Sequence, residues 1–141
     1  MSTRARKSAP AIRFRIDFDE QCSVGIGKIT LLEAVADTGS LSQAARRLGM
    51  SYRRAWLLVD SMNAEFDTPV ISATVGGSGG GGAQLTDFGR ELARAYRALE
   101  GSVATLVARS MGAIAAHVAS PRRHRSAPGA TPRQRLARPL R

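Results

Sequence analysis

The chain reads as a mainly α fold with a small β wing: a winged helix-turn-helix with a long C-terminal dimerisation helix. Three observations carry this. Apolar spacing gives the order strand, helix, helix, helix, strand, glycine loop, strand, helix. Residues 41–58, LSQAARRLGMSYRRAWLL, have the small residues and glycine that two tightly crossing helices need. Val70–Val75 and Ala83–Leu85 flank a run of glycines, as strands flank a hairpin loop.

Taken in order, Ile12-Arg13-Phe14-Arg15-Ile16-Asp17-Phe18 alternates apolar and charged residues with period 2, a half-buried strand. Gly25 and Gly27 then mark a loop. Residues 28–37 place Ile29, Leu32, Val35 and Ala36 at helical spacing, and Thr38-Gly39 is a helix stop. Ser40 or Ser42 can cap a second helix from Leu41 to Leu48, closed by Gly49. Ser51 can cap a third, with Ala55, Leu58, Val59, Met62 and Phe66 on one stripe and Pro69 beyond its end. Thr86 caps the last helix, along which Phe88, Leu92, Tyr96, Leu99, Val103 and Leu106 line one side, until Ser120-Pro121. The resulting segments are a basic disordered arm (1–11), the winged domain (12–85), a dimerisation helix (86–119) and a disordered Arg/Pro-rich tail (120–141).

Charge narrows the function. Of 141 residues, 21 are Lys or Arg and 11 are Asp or Glu, a net +10. Residues 1–15 hold 5 bases and residues 121–141 hold 7, neither with an acid, which leaves 9 bases and 11 acids for the middle. The excess therefore belongs to the ends. Such ends serve solubility or loose, salt-sensitive attachment to nucleic acid. No apolar run approaches the ~20 residues of a membrane helix, and no apolar stretch follows the basic start as in a secretory signal. A cytoplasmic, nucleoid-associated location follows as the expectation, with no membrane partner.

Catalytic and metal chemistry find little support. Cys22 is the sole cysteine and reads as a bystander thiol. His117 and His124, separated by a proline, do not make a metal site. Asp17, Asp19 and Glu20 lack an accompanying base or nucleophile and read as a solvated strand end. The expectation is no enzyme, no cofactor, no metal and no evident small-molecule effector site.

The helix-turn-helix is where chemistry concentrates. The exposed first turn of its second helix offers Ser51, Tyr52, Arg53 and Arg54 for base reading. Arg can grip guanine O6 and N7 with two bonds, while hydroxyls and the helix N-terminus hold phosphate. Arg46 and Arg47 lie toward the DNA backbone that the preceding helix crosses. Gly76–Gly82 lacks the Gly-Lys-Ser/Thr ending of a phosphate-binding P-loop, and a strand follows it instead of a helix. A flexible linker has this composition too, but a wing fits the flanks best, with Gly79, Gly80 and Gly81 against the DNA backbone. Trp56 reads as packing between the second and third helices.

Residues LLEAVADTGSLSQAARRLGMSYRRAWLLVDSMN and GGSGGGGAQLTDFGRELARAY together resemble the N-terminal DNA-binding domain of the ModE family of molybdate-responsive transcriptional regulators, a LysR-like winged helix. The pairing of Ser-Tyr-x-x-Ala-Trp at 51–56 with Gly-Gly-x-Gly-Gly-Gly-Gly-Ala-x-Leu-Thr at 76–86 makes the resemblance specific, and it covers roughly residues 12–110. It implies a homodimer on double-stranded DNA, base reading by residues 51–54, backbone contact by the wing, and control of molybdate transport or molybdenum-enzyme genes. Full-length family members continue into small β-barrel oxyanion-binding domains. Here an Arg/Pro stretch follows, so a stand-alone form is expected. The alternative from another class is an architectural, nucleoid-associated DNA binder with little sequence preference.

Overall fold

The computed structural model describes residues 10–74 and 82–119. Two antiparallel strand pairs bracket three helices, and a fourth helix runs out from them. Strand β1 (Arg15–Asp17) pairs with β2 (Ser23–Gly25), with Ile16 opposite Val24. The turn between them is built by Asp19, whose Oδ1 accepts the backbone N–H of Gln21 and Cys22 at 2.7 and 2.6 Å. Asp19 is thus a turn residue, the role that aspartate often takes by bonding backbone two residues on. Cys22 closes this turn with its side chain buried, and burial pushes its thiol above the usual value.

Helix α1 (Ile26–Thr38) is the central element. Ile29, Leu31, Leu32, Ala34 and Val35 are all buried, so it is covered on more than one side. It stops at Gly39, whose φ of 64° is a left-handed conformation that favours glycine, with its N–H on Val35 O at 2.8 Å. Helix α2 (Leu41–Arg47) is capped by Ser40, whose Oγ accepts the Gln43 N–H. Gly49, at φ 66°, makes the turn into helix α3 (Tyr52–Glu65), which Ser51 caps through the Arg54 N–H.

Strands β3 (Ile71–Thr74) and β4 (Gly82–Leu85) pair with Ile71 opposite Leu85 and Thr74 opposite Gly82. This is the root of the wing, and Gly79, Gly80 and Gly81 lie outside the described residues, as do residues 1–9 and 120–141. Two contacts fix the hairpin to the helices. Asn63 on α3 accepts the Val70 N–H at 2.8 Å and donates to Ile71 O at 3.1 Å. On the other side, Ala83 N–H donates to Gly39 O at 3.0 Å, in the turn between α1 and α2. The wing is therefore held in register with both halves of the helix-turn-helix.

Helix α4 (Asp87–Ala115) has 29 residues, capped by Thr86, which accepts the Gly89 N–H and donates its hydroxyl to Pro69 O. At ~1.5 Å per residue it is about 43 Å long. Only its first turns join the core: Gly89, Ala93 and Tyr96 are its buried residues. Phe88 stacks edge-on against Phe66, and Tyr96 stacks on Phe14 and donates its hydroxyl to Phe14 O at 3.0 Å. Arg97 grips Glu33 on α1 with two bonds of 2.7 Å and Glu100 with a third.

The observed order is that of a winged helix-turn-helix with a C-terminal helix, and three local expectations change. The strand expected over 12–18 is cut to 15–17, because its partner β2 is only three residues long. Residues 23–25, expected as loop, are that partner. Gly25 is extended there, at φ −131°, and serves both strand end and helix cap. Trp56 does not pack between helices; it stands 48% exposed on the outer side of α3.

Candidate nucleic-acid interface

The geometry of the interface follows from how α2 and α3 cross. Ala44, Ala45 and Ala55 are buried at their junction, and their small side chains let the two helices approach closely. Met50 N–H donates to Ala45 O at 3.0 Å, which locks the angle of the turn. Ala55, Leu58, Val59 and Met62 then turn inward, the last two turns resting on the core around α1. With period 3.6, the opposite arc carries Arg53, Trp56, Leu57 and Asp60, with Tyr52 and Arg54 on its shoulders. All six are exposed.

The base-reading set read from the sequence is placed together. Ser51, Tyr52, Arg53 and Arg54 occupy the cap and first turn of α3, at the open end of the helix. Ser51 spends one lone pair on the cap and keeps its own O–H to donate. Arg46 and Arg47 end α2 next to this turn. Their electrostatic state is distinctive. Lys28, Arg15, Arg90 and Arg97 are each paired with an acid elsewhere in the fold. The guanidinium groups of Arg46, Arg53 and Arg54 have no acidic partner among the described residues. Arg13, Arg94 and Arg109 are likewise unpaired there but sit apart, on the N-terminal segment and α4. Arg47 bonds Asp37 at 3.0 Å, with both side chains more than half exposed. Such a pair contributes little in water and exchanges readily for a phosphate.

One feature of this surface was missed by reading the sequence. Trp56 and Leu57 are 48% and 49% exposed and lie beside the arginines instead of in the core. A cue was available: Tyr52 and Trp56, like Arg53 and Leu57, are four apart and share the outer arc, while the inward stripe is complete without them. The α4 residues expected from the sequence to pair two subunits are divided. Phe88, Leu92 and Tyr96 pack on this chain's own core, whereas Leu99 and Leu106 are exposed and Val103 is half-buried. Among the described residues no group of three His, Cys, Asp or Glu could hold a metal ion, and no helix is long and apolar enough to cross a membrane.

Against known proteins, residues 26–90 match the bacterial regulatory helix-turn-helix proteins of the lysR family. This segment is similar to a LysR-type helix-turn-helix domain. Its match spans α1 through the first turn of α4, which is the unit whose geometry is described above. Over 84 residues the chain is 46% identical to the molybdenum-pterin-binding protein MopB of Rhodobacter capsulatus, covering 60% of this chain and 31% of that one. It is 41% identical over 88 residues to the molybdenum transport protein ModE of Azotobacter vinelandii, covering 62% and 33%. It is also 41% identical over 69 residues to the DNA-binding transcriptional dual regulator ModE of Escherichia coli strain K12, covering 49% and 26%. The chain thus spans between about a quarter and a third of the length of these relatives.

Proposed function

We propose that this protein is a transcriptional regulator that binds duplex DNA as a homodimer, with α3 in the major groove. The observation that carries the reading is the cluster of arginines without acidic partners at the exposed start of α3 and end of α2. Arg46, Arg53 and Arg54 meet no acid among the described residues, and Arg47 holds Asp37 only through an exposed pair, so four bases gathered at one turn face solvent ready to meet a polyanion. Ser51, Tyr52, Arg53 and Arg54 read base edges, Arg46 and Arg47 hold phosphates, and Gly79, Gly80 and Gly81 of the wing approach the backbone. The likeness to ModE proteins supports control of genes for molybdate transport or molybdenum enzymes.

The second subunit is argued from α4. Past Glu100 this helix leaves the core, yet Leu106, Met111 and Ile114 are exposed along it. An apolar stripe on an unsupported helix is unstable in water, and Gly101 and Gly112 weaken it by about 1 kcal/mol each relative to alanine. A second copy laid against the stripe covers it. Sedimentation at micromolar concentration is expected to show a dimer, and Leu106→Glu a monomer. A wild-type monomer that still binds one duplex selectively would refute the pairing.

Selection of bound duplexes from a random pool at fixed salt tests the DNA reading. A regulator enriches one two-fold symmetric sequence, while an architectural binder enriches none. Arg53→Ala and Arg54→Ala are each expected to cost about 1–3 kcal/mol on the selected duplex and to relax base preference. Arg46→Ala is expected to weaken all duplexes alike and to lower the salt slope by about one charge. Equal effects of both kinds of variant on selected and random duplexes would overturn the assignment of base-reading residues.

A further inference from the structure

Two large apolar side chains remain unexplained by arginine–phosphate and arginine–guanine contacts. Trp56, the sole tryptophan, and Leu57 are about half exposed on the outer arc of α3. They follow Tyr52 and Arg53 by four residues, just over one helical turn or ~6 Å further along the axis. The core does not need them there, since Ala55 and Met62 are fully buried and Leu58 and Val59 complete the inward side. An apolar pair this large beside unpaired guanidinium groups has a specific counterpart in duplex DNA. The C5-methyl of thymine is the apolar mark on the floor of the major groove, and apolar side chains contact it.

We propose that Trp56 and Leu57 read thymine methyl groups, one to two base pairs from the bases that Arg53 and Arg54 contact. The inference rests on the DNA-binding reading above and deepens it. The occupant is chosen by charge: Arg53 and Arg54 at the same helix end have no acidic partner, which favours a phosphate-bearing ligand over an apolar protein surface. Asp60, one turn beyond Trp56 and exposed, ends the apolar stretch with a charge that phosphate repels. The methyl-reading stretch is therefore confined to one turn of α3, between the arginines and Asp60. The preferred half-site should place thymine adjacent to the guanine that an arginine reads.

The test uses the full chain and the duplex it selects. Each thymine is replaced in turn by uracil, which removes only the methyl group. At one or two positions per half-site, wild-type affinity is expected to fall about fourfold, the loss for one buried methyl at ~0.8 kcal/mol. At those positions Trp56→Ala or Leu57→Ala binds the thymine and uracil duplexes equally. Trp56→Phe, which keeps an aromatic ring on the same arc, retains part of the discrimination. The intrinsic emission of Trp56 should change on saturation with the selected duplex. A uracil scan identical in wild type and both alanine variants, with unchanged indole emission, overturns this inference while leaving the regulator reading intact. A chain that selects no duplex overturns both.

Discussion

Replacing Gly89 with alanine is expected to lower stability by about 2–3 kcal/mol, a large effect for one methyl group. A Cβ at this position would stand 2.1 Å from the backbone oxygen of Val70 and 3.0 Å from its carbonyl carbon. Neither side can step aside cheaply. The same Val70 carbonyl accepts the Thr86 N–H at 3.0 Å, and the Gly89 N–H is held by the Thr86 hydroxyl at 3.0 Å. Val70 N–H is in turn bonded to Asn63 on α3. The strain would therefore pass from α4 through Val70 into α3. The better helix propensity of alanine, worth up to ~1 kcal/mol, offsets only part of the cost. Gly101 and Gly112, on the same helix, have open space around the added Cβ. Gly112→Ala is accordingly the control and should be neutral or stabilising. Urea unfolding checks the pair: a lower midpoint at unchanged slope is expected for Gly89→Ala. A midpoint equal to wild type would mean that α4 does not rest on Val70.

The second large effect is expected at the C-terminal end of α3. Glu65 Oε2 lies 2.7 Å from Lys28 Nζ, and both side chains are only 15% exposed. Lys28 also donates to Ser23 O at 2.7 Å, and Glu65 accepts the Ser61 hydroxyl. The pair ties the C-terminal end of α3 to the first turn of α1 and to β2. Glu65→Ala leaves a largely buried ammonium with one carbonyl partner, and should cost about 3 kcal/mol. Replacing both residues, Lys28→Met with Glu65→Leu, should cost much less, because no buried charge is stranded. Burial alone would push the Glu65 carboxyl up, but hydrogen bonds from Lys28 and Ser61 outweigh it and hold it below the usual value. Glu33 is lowered as well, chiefly by its hydrogen bonds to Arg97. A carboxylate lowered in the folded state binds its proton more readily once unfolded. Its stabilisation is complete above the unfolded value of ~4.3 and is lost as pH falls through the folded one. Wild-type stability should therefore decline below about pH 5, and Glu65→Gln should decline less steeply. Parallel curves for the two proteins would show that this pair carries no pH dependence.

These two sites also show what could be read from residues alone. The caps and stops are local chemistry. Ser51, Thr86, Gly39 and Gly49 each act where their type predicts, because a hydroxyl at a helix start or a glycine at a left-handed turn needs only its immediate neighbours. The helix-turn-helix was legible for the same reason. Of the two serines able to cap α2, Ser40 does so, a choice made by how the turn from α1 delivers the chain. Gly89, by contrast, is unremarkable in sequence; only the approach of Val70 from 19 residues earlier makes it indispensable. Nor does the spacing from Lys28 to Glu65, 37 residues apart, suggest an ion pair.

Periodicity told which side chains share a face, and the sequence by itself determined the order of every element but β2, the helix starts to within a turn and the place where the arginines gather. What covers each face was decided by the tertiary structure. Residues 23–25 became a strand because Arg15–Asp17 arrived beside them, although three residues ending in glycine carry no strand signal. Trp56 faces outward because the fold sets Ala55 and Met62 against the core, and the next position after Ala55 lies about 100° further round the helix. The long stripe of α4 was divided by how far the core reaches: Phe88, Leu92 and Tyr96 meet Phe66, Phe14 and their neighbours, and Leu99 and Leu106 lie past its edge. A pattern of apolar residues records that a surface must be covered, and the distance to the nearest other surface, which is a property of the whole fold, decides by what.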